Sequence, residues 1–120
     1  MKKLIEIAKF TDNIEEMSEF YENMLGNAPV ARSEEMAIFM LGEVKLFLHQ
    51  QYEPKEGELP PVDHLAFEVE DVTKACDELV AAGLRVEIPP KDYYWGVSAY
   101  LRDPDGQMIE LLQANLDQAG

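Results

Sequence analysis

An internal repeat limits what this chain can fold into more than any other feature of its 120 residues. When the second half is laid on the first with a shift of about 58 residues, Glu6 falls on His64 and Ile14 falls on Val72. In both halves an amide or acidic residue, suited to cap a helix, follows seven positions after Glu6 or His64. We therefore expect one domain built from two similar modules.

The first half has the pattern of a strand, a helix and three strands. Apolar residues recur at helical spacing from Ile14 to Leu25, where Asp12 or Asn13 supplies the N-cap and Gly26 the stop. The expected strands are 4–11, 29–32, 36–41 and 44–50, with a tight turn at Gly42-Glu43 between the last two.

The second half repeats this order after a linker at 51–61, which is rich in Pro and charges. Asp71 caps a helix that ends at Gly83, and the turn Asp103–Gly106 precedes the last strand. The expected strands are 62–69, 84–88, 97–102 and 107–113, with a loop at 89–94. The sequence predicts an α+β chain of two βαβββ modules in a curved mixed sheet, with module 1 at about 1–50 and module 2 at about 62–116.

Composition excludes several classes of partner. Asp and Glu outnumber Lys and Arg by 24 to 10, giving a net charge of −14, which repels nucleic acid and anionic membrane surfaces. No apolar run approaches the roughly 20 residues that cross a bilayer, and no signal peptide is evident, so we expect a cytoplasmic protein. The single cysteine, Cys76, lies on the apolar side of a predicted helix and is interpreted as a small buried hydrophobe.

Glu6, His64 and Glu110 are the residues that suggest chemistry. In a symmetric pairing of the modules, their first and last strands would bring these three side chains to one concave face. An imidazole and two carboxylates suit Mn²⁺, Fe²⁺, Ni²⁺, Co²⁺ or Zn²⁺ with positions left open for substrate. Glu110 lies in an otherwise apolar strand, where an unpaired carboxylate is costly, so a metal or Arg102 is expected to compensate its charge.

Other residues have less specific interpretations. His49 ends the fourth strand and is read as a rim or surface residue. Tyr93, Tyr94 and Trp95 suit ligand stacking beside a cleft, but equally a dimer interface or a core plug.

Three segments give the chain a recognisable resemblance that covers nearly its whole length. They are Phe20-Tyr21 with Met24–Gly26, Asp63–Phe67, and the most specific stretch, Tyr100–Leu111. The sequence resembles the vicinal oxygen chelate superfamily, the group of glyoxalases, bleomycin-resistance proteins and extradiol dioxygenases. The resemblance implies a small-molecule ligand and a homodimer.

The resemblance also implies where a metal would bind, since ligands in that family come from the first and last strands of each module. Carried over to this chain, these positions are Glu6, Leu46, His64 and Glu110. Leu46 cannot bind a metal, which leaves a three-ligand pattern similar to that of fosfomycin-resistance enzymes and the dioxygenases.

Two functions follow as expectations. The first is a metal-dependent lyase, isomerase, transferase or dioxygenase, whose substrate chelates the metal through neighbouring oxygens; His64 is a ligand, Glu110 a ligand and catalytic group, and Glu6 a ligand or general base. The second is a bleomycin-like antibiotic-binding protein without metal, with a groove formed by Tyr93, Tyr94, Trp95 and Arg102. A third interpretation makes the contact of Glu6 with His64 a structural ion pair only.

Overall fold

The computed structural model describes residues 2–114 and divides the chain into two compact units. The amino-terminal unit is Glu6–Asp63, and the carboxy-terminal unit starts at His64 and includes the residues before Glu6. The elements are β1 (Lys3–Thr11), α1 (Ile14–Leu25), β2 (Ala31–Arg32), β3 (Met36–Leu41), β4 (Val44–Gln50), β5 (His64–Glu68), α2 (Val72–Ala81), β6 (Val86–Tyr93), β7 (Gly96–Arg102) and β8 (Met108–Ala114).

The helices begin and end where capping chemistry predicts. Asn13 caps α1, its side chain accepting a hydrogen bond from the backbone N–H of Glu16 at 3.1 Å, and Gly26 follows with φ of 77°. Asp71 caps α2 in the same way, accepting from the N–H of Lys74 at 3.0 Å. Both N-caps satisfy a donor that the first helical turn leaves without an intrahelical partner.

The amino-terminal unit has the strand order β2-β3-β4-β1. The β1 and β4 strands are parallel, while β3 pairs antiparallel with both β2 and β4. Alternate residues of these strands, including Phe39, Leu46 and Leu48, turn towards α1 and form the core of the unit with Ile14. The opposite face of β4 carries Lys45, Phe47 and His49.

The carboxy-terminal unit repeats this arrangement with the order β5-β8-β7-β6, and β5 runs parallel to β8. Val72 and Cys76 of α2 pack against Ala99 and Leu111 of the strands. The interpretation of Cys76 as a buried hydrophobe is confirmed, since it is 5% exposed. Glu110 lies next to Leu111 along β8, so its side chain leaves the sheet on the face away from α2.

The predicted loop at 89–94 is wrong, because β6 continues through Pro89 and Pro90 to Tyr93. Its pairing with β7 shifts register between Val86 and Ile88 and again between Ile88 and Lys91. Proline lacks the N–H that a central strand needs, and a bulged outer strand of the sheet order tolerates this loss.

The prediction of an α+β chain with two βαβββ modules is confirmed. The predicted end of module 2 at about residue 116 lies outside the described residues. Within residues 2–114, neither helix is long and apolar enough to cross a membrane.

Candidate metal-binding site

His64 and Glu110 meet on the face of the carboxy-terminal unit that points away from α2. The parallel pairing of β5 with β8 sets Ala66 opposite Glu110, and His64 lies two residues before Ala66 on the same side of the strand. The Nε2 atom of His64 is 3.2 Å from Oε1 of Glu110. Their side chains are 15% and 6% exposed, so both polar groups have largely left water.

Ser98 holds the second oxygen of the Glu110 carboxylate. Its hydroxyl donates to Oε2 at 2.7 Å, and the indole N–H of Trp95 donates to the same hydroxyl oxygen at 2.8 Å. Both Ser98 and Glu110 are buried. Sequence reasoning missed Ser98, although the turn at Asp103–Gly106 folds β7 back along β8 and brings Ser98 close to the carboxylate.

Aromatic rings surround the pair. Tyr100, which lies opposite Glu110 in the β7–β8 ladder, sets its ring edge-on to that of His64, with centroids 6.2 Å apart. Tyr93 stacks on Trp95 with centroids 4.5 Å apart. Burial first, and then the negative charge of Glu110, raise the pKa of the Tyr93 phenol above its usual range.

Of the predicted groove residues, Tyr93 and Tyr94 both contact the ring of Trp95. Tyr94 is set edge-on to Trp95 and is 82% exposed. Arg102 does not join them: its Nε atom lies 3.1 Å from the carboxylate of Glu87, and its Nη1 donates to the carbonyl of Gly106 at 3.0 Å. Of the two compensating groups expected for Glu110, a metal or Arg102, the structure contradicts Arg102, because that side chain is paired with Glu87.

Leu46 is not the counterpart of Glu110, which corrects the alignment made from sequence. The ladders pair Ala8 with Phe47 in one unit and Ala66 with Glu110 in the other, and Ala8 and Ala66 correspond in the repeat. Phe47 is therefore the equivalent of Glu110. Leu46 points towards α1, so its side chain belongs to the core.

His49 lies on the same face of β4 as Phe47 and is half-buried. The rings of Phe10, Phe47 and Tyr52 lie within 5.8 Å of its imidazole centroid. Its Nδ1 is 2.7 Å from the backbone carbonyl oxygen of Gln50, which accepts a hydrogen bond when Nδ1 carries the proton.

Glu6 is placed on β1, opposite Lys45 of β4, and its side chain is half-buried. It shares the strand face of Ala8, which leads away from α1. The role of Glu6 as a partner of His64 stays a prediction.

Comparisons of this chain with known proteins point to one superfamily. The family model described as Glyoxalase/Bleomycin resistance protein/Dioxygenase superfamily matches residues 3–111. An uncharacterised protein of Bacillus subtilis is 33% identical over 124 residues, covering 91% of this chain and 96% of that protein. A lactoylglutathione lyase of Neisseria meningitidis is 29% identical over 114 residues, covering 84% and 83% respectively. The crystal structure of methylmalonyl-CoA epimerase from Mycobacterium tuberculosis shares the fold with a TM-score of 0.71 at 18% identity, covering 98% of this chain and 91% of that one.

Proposed function

Because this chain belongs to the glyoxalase/bleomycin resistance protein/dioxygenase superfamily, we propose that it is a metal-dependent enzyme acting on a small substrate. The divalent ion would be held by Glu6, His64 and Glu110, which offer one imidazole nitrogen and two carboxylates. The substrate would present two neighbouring oxygens to that ion.

The observation that carries the proposal is the burial of Glu110 beside His64. A carboxylate that is 6% exposed needs a compensating positive charge, and Arg102 is engaged with Glu87. The 3.2 Å between His64 Nε2 and Glu110 Oε1 is close to the roughly 3.0 Å expected between two ligands at right angles with bonds of about 2.1 Å. A structural ion pair with a protonated imidazole predicts the same distance but no bound metal.

Each residue has a defined task in this proposal. A bound divalent ion would polarise the substrate oxygens as a Lewis acid. His64 and Glu110 would hold it, and the ring of Tyr100 packs edge-on against the His64 imidazole. Glu6 is a ligand or, when substrate takes its place, the general base that accepts a proton from the substrate.

A relative with a named reaction supports a lyase or isomerase. The Neisseria meningitidis protein is a lactoylglutathione lyase and corresponds to most of this chain. Phe47 occupies the fourth ligand position and cannot bind a metal, so this chain offers three protein ligands. We therefore propose a lyase or isomerase reaction with a substrate other than that of the relative.

Metal stoichiometry in matched histidine variants tests the proposal, since the chain has two histidines. After chelator treatment and reconstitution with Ni²⁺ or Zn²⁺, emission spectroscopy should find about one ion per chain in the wild type. His64→Ala should bind none. His49→Ala removes the other imidazole, which lies among aromatic rings, and should bind as the wild type does.

Equal metal content in His64→Ala and wild type would place the ion elsewhere. No metal in the reconstituted wild type would leave a structural ion pair as the role of His64 and Glu110. Glu6→Gln separates the two roles of Glu6, because loss of a ligand lowers the affinity for the ion, whereas loss of a base lowers turnover at unchanged affinity.

The antibiotic-binding alternative depends on the aromatic residues. Tyr93 and Trp95 cover one face of each other, and the indole N–H is already bonded to Ser98, so this pair has less surface to offer a planar ligand. Quenching of Trp95 fluorescence by bleomycin in metal-free protein would support the alternative against our proposal.

We also propose a homodimer in the cytoplasm, in keeping with the family. Analytical ultracentrifugation at micromolar concentration should give twice the 13.6 kDa mass of the chain. Fractionation of cells should recover the protein with cytoplasmic markers.

A further inference from the structure

We propose that Ser98, itself held by Trp95, is a positioning residue that restricts Glu110 to binding the metal through one oxygen. The inference rests on the proposed metal site and adds two residues to it. All of the contacts that carry it lie within the carboxy-terminal unit.

The direction of each hydrogen bond in this chain of contacts follows from chemistry. An indole N–H can only donate, so at 2.8 Å the Ser98 oxygen must accept from Trp95. An ionised carboxylate can only accept, so the single hydroxyl proton of Ser98 points to Glu110 Oε2 at 2.7 Å. Trp95 thereby leaves Ser98 with one orientation.

This orientation divides the two oxygens of Glu110 between separate tasks. Oε2 accepts from Ser98, while Oε1 lies 3.2 Å from His64 Nε2 and is the oxygen available to an ion. Ser98 and Glu110 are both buried, so bulk water has little access to replace the serine hydroxyl. Hydrogen bonds from outside the ligand set commonly orient metal-binding carboxylates in this way.

Trp95 is well suited to hold Ser98 because its own position is fixed by packing. Its ring stacks on Tyr93 with an interplanar angle of 1°, and Tyr93 in turn sets its ring edge-on to Tyr100, with centroids 6.4 Å apart. The turn between β6 and β7 is therefore connected to the carboxylate through two hydrogen bonds. A substitution of Trp95 should therefore change the affinity for the metal ion through Ser98 and Glu110, although Trp95 itself does not bind the ion.

Calorimetric titration with Ni²⁺ tests the positioning role. Ser98→Ala should weaken Ni²⁺ binding by roughly 10- to 100-fold, the range found when such orienting partners are removed. Trp95→Phe keeps an aromatic ring but removes the donor, and should weaken binding by a smaller factor. Ser33→Ala is the matched control, because Ser33 is an exposed serine of the amino-terminal unit whose hydroxyl accepts from backbone N–H groups. The affinity of this variant for Ni²⁺ should equal that of the wild type.

The indole proton resonance gives a readout that a merely structural serine would not change. The chain has one tryptophan, so one indole N–H signal reports the bond to Ser98. Addition of Zn²⁺ should shift this signal in the wild type and leave it nearly in place in Ser98→Ala. In metal-free protein, Glu110→Gln should shift it as well, which provides a test if Ser98→Ala fails to fold.

The outcomes separate the two proposals. Wild-type binding of Ni²⁺ with equal affinity in Ser98→Ala, or an indole signal unmoved by both Zn²⁺ and Glu110→Gln, overturns the positioning role and leaves the metal site standing. Absence of Ni²⁺ and Zn²⁺ binding by the wild type overturns both.

Discussion

Ser18 is a polar residue in the core of the amino-terminal unit, 1% exposed in the middle of α1. Within residues 2–114 its hydroxyl has no hydrogen-bond partner. The free energy lost when this hydroxyl leaves water is therefore not offset by a hydrogen bond in the folded protein. We expect Ser18→Ala to raise the free energy of unfolding by about 1 kcal/mol in urea titrations, because it removes this group and favours the helix.

The repeat supplies the reverse experiment, because the shift that aligns the helices sets Cys76 of α2 on Ser18. Cys76→Ser places a hydroxyl in the core around Val72 and Leu111, where it should lower the free energy of unfolding by about 1–3 kcal/mol. A stabilised Cys76→Ser, or a destabilised Ser18→Ala, would show that the hydroxyl finds a partner in solution.

The thiol of Cys76 should make stability depend on pH on the alkaline side. Burial first, and then the charge of Asp77, raise its pKa above the ordinary 9.0. Well below the ordinary pKa the thiol is neutral in both the folded and the unfolded chain, and its contribution to stability is fully present. As the pH rises, the unfolded chain loses the proton first, so the free energy of unfolding falls. Urea midpoints should therefore fall more steeply with pH in the wild type than in Cys76→Ala, whereas parallel curves would contradict the shift.

At the scale of elements, each unit ties the start of its helix to the end of its parallel strand pair. The side-chain oxygen of Gln50 accepts from the N–H of Ile14 at 3.0 Å, and that of Gln113 accepts from the N–H of Val72 at the same distance. Both N–H groups are the first of their helix and have no partner within it.

Removal of either glutamine should destabilise the chain by about 0.5–1.5 kcal/mol, the usual net value of such a bond. Gln50→Ala and Gln113→Ala would be compared with Gln51→Ala, which truncates an exposed neighbouring side chain. Equal urea midpoints for Gln50→Ala and Gln51→Ala would show that the helix start does not depend on the strand.

Local signals predicted the helices and several strands from sequence. The bounds of α1, β3 and β4 agree with the expected ones because caps, a glycine stop and a tight turn lie next to them in the chain. Pro89 and Pro90 misled the prediction, since they argue against a strand unless its pairing is bulged.

Long-range register is what the sequence could not supply for the site. The repeat pointed to His64, yet the equivalence of Glu110 with Leu46 set the last strands of the two modules one residue out of register. The second module is longer between its helix and last strand, partly in the turn at 103–107, so Phe47 takes that position. The bond of Ser98 to Glu110 depends on the same register and was missed for the same reason.

At the scale of the whole molecule, the net charge of −14 implies self-repulsion in the folded state. Salt shortens the range of this repulsion from roughly 30 Å at 0.01 M to about 3 Å at 1 M. We expect the thermal midpoint to rise between these concentrations, and to rise alike in NaCl and KCl. A midpoint that falls with both salts would mean that favourable ion pairs, such as Arg102 with Glu87, outweigh the repulsion.

The location of a bound ion tests the central claim most directly. Crystals of the Ni²⁺-loaded protein, measured at the nickel absorption edge, should give one strong anomalous peak per chain, in bonding contact with His64 Nε2 and Glu110 Oε1. A peak at other residues, or an interpretable map in which His64 and Glu110 contact each other with no peak between them, would contradict a metal site at this pair.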